Sequence, residues 1–583
     1  MTIFNMKTTL IALFAALAAR HSLASVVPTV TDLVSRASCD NTATSRDCWG
    51  DYSVDTDYYS VTPSTGVTRE YWLSVENTTV SPDGYSRFAL TFNGTVPGPT
   101  IIADWGDNLV IHVTNNLEYN GTSIHWHGIR QLGSVEYDGV PGVTQCPIAP
   151  GDSLTYKFQV TQYGSTWYHS HFSLQYGDGL LGPMIINGPA TADYDEDLGA
   201  LFLQDWTHTP ISQLWDNAKL GAPPSLDTGL INGTNTFDCS GSTDANCVGG
   251  GKKFEATFEA GKKYRFRLIN VAVDGHFQFS IDGHNFTVIA NDLVPIVPFS
   301  TDSLLVSIGQ RYDIIVEASA VSDNYWLRAG WVSTCSTNAD PDNMTGIIRY
   351  DSTSTADPTT NSSITVGTNC GDEPAASLVP HLSMDVSTIS DSIVNQEELS
   401  FGVPDYFRWT LNGSSLFLNW TDPTTLKIFN NETIWPSAYN VQPLAAVSTS
   451  DVWTVWVIED DTGFGITHPI HLHGHDFFVI AQETATFDID TVTWNLSNPP
   501  RRDVASLPGN GFLAIAFKKD NPGSWLMHCH IAWHASEGFA MQFVERQSEI
   551  AVTMTDTNVF DDTCTAWSTY TPAEVFPQED SGV

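Results

Sequence analysis

Through most of this chain, apolar residues come in short runs of β-branched and aromatic side chains, broken every few positions by Gly, Pro, Asn or Asp. Leu109-Val110-Ile111-His112-Val113, Tyr264-Arg265-Phe266-Arg267-Leu268-Ile269, Tyr312-Asp313-Ile314-Ile315-Val316 and Trp453-Thr454-Val455-Trp456-Val457-Ile458 are examples. Runs of this length and composition predict strands, and their number with so many turn signals predicts an all-β sandwich or barrel architecture. Long amphipathic helices are scarce. The segment Pro97 to Leu109 has a loose counterpart in Phe258 to Leu268, which implies duplication of one barrel. The Thr- and Ser-rich stretch from Ser352 to Thr368 and the polar stretch from Ser387 to Glu398 read as connections between bodies. Boundaries near 190 and 378 follow, giving units 37–190, 191–378 and 379–583.

A length of 583 residues with 42% hydrophobic content is enough for several units, each with its own buried core. With 25 Lys+Arg against 66 Asp+Glu, the formal charge of -41 repels nucleic acid and anionic membranes. The acidity is read as solubility in an acidic medium, with no catalytic role. Residues 1–24, with Lys7 ahead of the apolar run Leu10 to Ala19 and then Ser22-Leu23-Ala24, read as a secretory signal peptide. The run is too short to span a bilayer, and no later stretch has 18 uninterrupted apolar residues. Residues 25–36 read as a short propeptide, so a soluble, exported protein starting near Ala37 is expected. Eleven Asn-x-Ser/Thr sequons, among them Asn77, Asn93, Asn232, Asn343, Asn412 and Asn431, fit N-linked glycans on such a protein. Nine cysteines leave one over after four disulfides. The odd one is expected to be Cys529, placed between two histidines. Proximity pairs Cys39 with Cys48 and Cys239 with Cys247, and leaves Cys146, Cys335, Cys370 and Cys564 open.

Four histidine clusters change the picture from fold to chemistry. They are His125-Trp126-His127, His169-Ser170-His171, His468-Pro469-Ile470-His471-Leu472-His473 and His528-Cys529-His530 with His534 behind it. Random placement of 17 histidines would give roughly half a His-x-His pair, and five occur, so chance is rejected. Neutral imidazole is the commonest metal ligand. On a strand, residues i and i+2 share a face while i+1 points the other way. His528 and His530 therefore enter one site and Cys529 another, so a metal held by sulfur is wired through the backbone to metals held by imidazole. One thiolate with two imidazoles, here Cys529, His468 and His534, indicates a blue-copper electron-transfer centre. Zinc accepts the same atoms, but a structural zinc site needs four ligands and accounts for only one cluster. His112, His208, His276, His284, His381 and His475 are expected to be satisfied core residues.

The motifs His125-Trp126-His127-Gly128, Trp167-Tyr168-His169-Ser170-His171, His468-Pro469-Ile470-His471-Leu472-His473-Gly474-His475 and His528-Cys529-His530-Ile531-Ala532-Trp533-His534 resemble the four copper signatures of the multicopper oxidases. Their surroundings resemble the fungal laccases of filamentous ascomycetes, over almost the whole mature chain. The resemblance implies three consecutive cupredoxin-like Greek-key β-barrel domains and four coppers. Type 1 copper would be held by His468, Cys529 and His534, and type 2 copper by His125 and His471. His127, His169 and His530 would hold one type 3 copper, and His171, His473 and His528 the other.

The activity implied is one-electron oxidation of a phenol or aromatic amine, four times over, coupled to reduction of O2 to two waters. Asp138, in Tyr137-Asp138-Gly139, matches an acid that delivers protons near the cluster, and Asp274 matches the carboxylate that accepts the phenolic proton; a turn-forming Asp beside Gly is the plainer reading of both. Phe539, ten residues past Cys529, stands where related oxidases carry an axial Met; it cannot bind copper, which favours Cu(I) and a raised potential. The ending Asp580-Ser581-Gly582-Val583 resembles the processed C-terminus of the same group, which lies in the channel to the trinuclear cluster, although a free tail is the ordinary expectation. The resemblance also pairs Cys146 with Cys564 and Cys335 with Cys370. Other multicopper oxidases acting on ascorbate, bilirubin or ferrous iron remain alternatives, as does a non-catalytic copper carrier. Phe539 argues against the axial-Met types, and a carrier needs only the cysteine-containing centre.

Overall fold

The computed structural model describes residues 39–321, 323–387, 389, 393–445, 452–570 and 578–583, so the segments read as signal peptide and propeptide lie outside the described residues. Strands dominate, in three pairs of facing sheets that follow one another along the chain. The first pair has sheets ordered Arg87–Phe92, Thr68–Val80, Asn108–Asn115, Ser153–Gln159 and Ile101–Asp104, Leu181–Asn187, Gly164–Ser170, Ile124–Trp126. In the second, the six-stranded sheet runs Thr228–Ile231, Glu196–Trp206, Lys263–Asn270, Arg311–Glu317, Phe286–Asn291, Val294–Thr301. In the third it runs Arg408–Leu411, Val394–Gly402, Trp453–Asp460, Phe512–Lys518, Phe477–Glu483, Arg501–Arg502, facing a five-stranded sheet built around Gly523–Cys529 and His468–Leu472. These are three cupredoxin-like barrels, and the strands expected at 109–113, 264–269, 312–316 and 453–458 all lie within them.

The repeat extends further than the sequence suggested. In each barrel the first long strand runs parallel to a later one: Thr68–Val80 to Asn108–Asn115, Glu196–Trp206 to Lys263–Asn270, Val394–Gly402 to Trp453–Asp460. Each long strand also pairs with a short strand that is followed directly by Asn-Gly-Thr or Asn-Gly-Ser, and the Asn there has a left-handed φ of 47–53°. The three side chains make the same clamp. Asn93 donates to the Trp72 carbonyl and accepts from the Ser74 N–H, Asn232 does so with Ala200 and Phe202, and Asn412 with Gln396 and Glu398. Asn tolerates this backbone conformation and supplies both a donor and an acceptor, which explains its choice here.

One expectation fails. The polar stretch 387–398 is not only a connection, because Val394–Gly402 is an interior strand of the third barrel. Its outward residues Asn395, Gln396 and Glu398 mask the buried alternation of Glu397 and Leu399. The stretch 352–368 carries no strand, as expected. Disulfides join Cys39–Cys48, Cys146–Cys564, Cys239–Cys247 and Cys335–Cys370, and Cys529 is free and buried. Cys146–Cys564 ties the helix Asn558–Thr569 back to the first barrel. Among the described residues no helix is long and apolar enough to cross a membrane.

Candidate metal centre

Cross-strand pairing brings the histidine clusters together. His125 on Ile124–Trp126 lies opposite His169 on Gly164–Ser170, and His471 on His468–Leu472 lies opposite His528 on Gly523–Cys529. Directly opposed residues on antiparallel strands sit side by side, so each pairing gathers imidazoles within its own barrel, and ring contacts then join the first barrel to the third. The rings of His125 and His473 stack at 3.9 Å, as do those of His127 and His471. His171 lies 5.2 Å from both His473 and His528, and His530 lies 5.1 Å from His127 and 5.8 Å from His169. Eight buried imidazoles thus enclose one space.

The hydrogen bonds show which nitrogen six of the eight rings leave free. Nδ1 of His125, His169, His471 and His528 donates to a backbone carbonyl, of Asp138, Ser170, Asp503 and Cys529 respectively, and Nδ1 of His473 donates to the Asp138 carboxylate at 2.9 Å. In all five, Nε2 is buried with no partner. His127 is reversed, with Nε2 on Asp503 Oδ1 at 3.2 Å and Nδ1 unpartnered. Each bond fixes a tautomer and leaves a lone pair directed into the enclosed space, as a metal ligand requires. Burial pushes His127, His169, His171, His471, His473 and His530 well below 6.5 and His528 down to about 4. The neutral form is the one that ligates.

The second set lies across the same strands. His468 and Cys529 occupy the faces opposite His471 and His528, so two strands feed both centres at once. His468 Nδ1 and His534 Nδ1 are 3.0 Å apart, and Cys529 Sγ is 3.8 and 3.6 Å from them. Three soft or borderline donors in a buried triangle suit type 1 copper. Burial raises the Cys529 thiol well above 9.0, so metal binding must displace its proton. Phe539 is 1% exposed with its ring 5.1 Å from that of His468, and its carbonyl accepts the Cys529 N–H. An apolar ring therefore borders the donor triangle.

Asp274 is buried on the loop following Lys263–Asn270, and the Val273 carbonyl accepts the Ala532 N–H of the His534 helix. Burial, then the neighbouring charge of Asp205, holds its carboxyl well above the usual range. Asp205 accepts the N–H groups of Val273, Asp274 and Gly275, and burial pushes it up to about 6. Asp138 touches two clusters, 3.3 Å from His125 Nδ1 and hydrogen-bonded to His473. Of the histidines expected to be satisfied core residues, His112, His208, His284 and His381 have partners, and His475 pairs with the Glu545 carboxylate at 2.9 Å. His276 departs from that expectation, because neither ring nitrogen of this buried residue has a well-formed hydrogen bond.

Asp503 escaped the sequence reading. It holds His127 through its carboxylate and His471 through its carbonyl, while Arg311 of the second barrel grips the carboxylate with both Nη atoms. Its only sequence signal is an acid after two arginines in an apolar neighbourhood. The tail is docked, with Ser581 bonded to Ser536 and Leu418, Trp420 Nε1 donating to the Gly582 carbonyl, and Val583 lining a cavity with His169, His171, His528 and His530.

Multicopper oxidase family models match residues 74–191, 198–353 and 414–549. Laccase-2 of Botryotinia fuckeliana is 67% identical over 99% of this chain and 99% of its own length. The crystal structure of a laccase from Botrytis aclada superposes with a TM-score of 0.91 at 69% identity, covering 94% of this chain and 100% of that one. Fet3p, a multicopper oxidase that functions in iron import, is more distant, with a TM-score of 0.76 and 26% identity over 88% of this chain and 99% of its own. The chain belongs to the multicopper oxidase family, whose type 1 copper and trinuclear type 2 and type 3 set its two buried groups of donors suit.

Proposed function

We propose that this enzyme is a secreted, glycosylated, monomeric laccase that oxidises phenols and aromatic amines at the expense of O2. The observation that carries the reading is Cys529 facing one donor set while its neighbours His528 and His530 face the other, which joins an electron-accepting centre to an oxygen-reducing one. Copper in these sites supplies one-electron acceptance at type 1 and four-electron reduction of O2 at the trinuclear set. The turnover balances as four phenols and one O2 giving four phenoxyl radicals and two waters.

His468, Cys529 and His534 are assigned to type 1, His125 and His471 to type 2. His127, His169 and His530 are assigned to one type 3 ion, and His171, His473 and His528 to the other. Asp274 takes the phenolic proton, with its loop pinned by Asp205 and a carboxyl that burial makes more basic than a free one. Asp138 orients His473 and supplies protons to reduced oxygen. Phe539 keeps the type 1 pocket apolar, and the apolar side chain of Val583 restricts access beside His169 and His530. Division at about 190 and 378 is supported by sheets that end at Asn187 and resume at Glu196, then end at Arg349 and resume at Val394. Secretion is supported by the leader-like residues 1–24 and by four disulfides.

The test is oxygen uptake with a simple phenol and with ferrous iron, alongside a copper count and a visible spectrum. Four coppers, absorption near 600 nm and phenol-dependent uptake are expected. Absence of copper after reconstitution, or a kcat/KM for ferrous iron far above that for every phenol tried, overturns the assignment.

A further inference from the structure

Trp409 forms one wall of the type 1 donor set. Its ring lies 5.0 Å from His468, 4.7 Å from His534 and 6.0 Å from Phe539, so it touches both imidazoles assigned to that copper and the apolar ring beside them. Trp409 sits on the short strand Arg408–Leu411, beside a loop-rich stretch, and an indole there could tilt about its side-chain torsions. Two hydrogen bonds to one residue prevent this. Glu537 Oε2 accepts the indole Nε1–H at 2.8 Å, and the Glu537 carbonyl accepts the Trp409 backbone N–H at 3.0 Å. Glu537 is itself rigid, because it ends the helix that carries His534 and its own N–H donates to the Trp533 carbonyl.

A buried carboxyl is a costly way to fill space. Glu537 is 3% exposed, and burial raises its carboxyl to about 8, partly offset by the Trp409 bond. Leu or Met at this position would fill the volume without that cost but would leave the indole N–H buried and unpaired. The acid is thus explained by what it holds rather than by packing.

We propose that Glu537 is a positioning residue of the type 1 centre, fixing the Trp409 indole over His468 and His534 and so helping to set that centre's potential. The apolar shell around a metal controls water access and local dielectric, and hence its potential. A free indole lets water approach, which stabilises the more highly charged oxidised ion and lowers the potential. The inference rests on the type 1 assignment given above, and the wild-type spectrum tests that assignment separately.

The experiment uses the copper-loaded, full-length enzyme and reads the type 1 potential, the 600 nm band and the electron paramagnetic resonance spectrum. Glu537→Leu and Trp409→Phe should each weaken the centre's electron affinity by about tenfold, equivalent to about 59 mV, with an altered cupric signal. Glu537→Gln retains an acceptor oxygen and should restore values close to wild type. The double variant Glu537→Leu/Trp409→Phe should show no further loss beyond Trp409→Phe alone, since both act through one bond. If Glu537→Leu does not accumulate, Trp409→Phe removes the same bond from the other side and carries the test. An unchanged potential and spectrum in Trp409→Phe, a Glu537→Gln shift as large as that of Leu, or full additivity in the double variant overturns the proposal. A wild type without copper or a 600 nm band instead overturns the laccase reading itself.

Discussion

Replacing Asp503 with Asn changes one oxygen for nitrogen and keeps the side-chain volume, yet it should damage stability and metal retention together. Asp503 and Arg311 are both fully buried, paired through two Nη–Oδ contacts, and the next acid, Asp292, stands 3.7 Å from Arg311 Nη1. Removing one partner of a buried pair costs about 3–5 kcal/mol, and Asp292, already shared with Arg502, offsets only part of the charge left on Arg311. The same substitution weakens the acceptor that holds His127 Nε2–H, so Nδ1 is no longer fixed as the free nitrogen. Loss of such an outer-shell partner lowers metal affinity by about 10–100-fold. The assay is denaturant unfolding of the metal-free protein beside copper stoichiometry after dialysis against graded chelator. Retention of copper at wild-type chelator levels with stability within about 1 kcal/mol of wild type would refute the view that Asp503 couples the barrels to the cluster.

Asp274→Ala should depress oxidation of a phenol at low pH far more than oxidation of a non-protic electron donor, and equal loss on both would remove Asp274 from proton acceptance. Phe539→Met should lower the type 1 potential in spectroelectrochemistry by supplying the thioether that Phe lacks; no decrease would place the axial position elsewhere. Asp205, at about 6 when folded against 3.8 ordinarily, binds its proton more tightly in the folded state. Its contribution is therefore stabilising below about pH 4 and lost as pH rises through about 6. The stability difference between wild type and Asp205→Asn, followed by unfolding at several pH values, should shift against the wild type across that window, and a pH-independent difference would contradict the assignment. Asn232→Gln should cost about 2–3 kcal/mol through two lost hydrogen bonds and a left-handed backbone that Gln resists, whereas exposed Asn361→Gln should stay within about 0.5 kcal/mol; equal small effects in enzymatically deglycosylated protein would show that the Asn-Gly clamp is not structural.

The gathering of these histidines with Cys529 was legible in the sequence because its geometry is local. A His-x-His pair on a strand projects to one side whatever the rest of the fold does, and Cys529 between His528 and His530 records the junction of two sites in three consecutive letters. Residues whose role depends on distant partners left no such mark. Arg311 and Asp503 lie 192 positions apart, Trp409 and Glu537 lie 128 apart, and Asp205 is 69 positions from the Asp274 N–H it accepts. The charged ones look like ordinary surface charges, and Trp409 like an ordinary core aromatic, until the barrels close around them. The strand Val394–Gly402 was hidden for a related reason, since its outward face carries the polarity of a linker and only tertiary packing shows that the other face is buried. The docked tail was half legible, as a resemblance whose contacts with Ser536, Leu418 and Trp420 only the fold supplies.

All eleven residues assigned to copper come from the first and third barrels, between His125 and His171 and between His468 and His534. The middle barrel gives none, yet the centre depends on it at two points. Arg311 reaches from its six-stranded sheet to hold Asp503, and through it two imidazoles of the trinuclear set. Asp205, on the same sheet, fixes the loop that sets Asp274 against the His534 helix. A two-barrel arrangement of these sequences would keep all eleven of these side chains and lose both the counter-charge behind the histidine cluster and the Asp274 carboxyl proposed as the base. The second barrel is therefore better understood as the frame that holds one centre's tautomers and the carboxylate loop packed beside the other than as a spacer between two metal-binding halves.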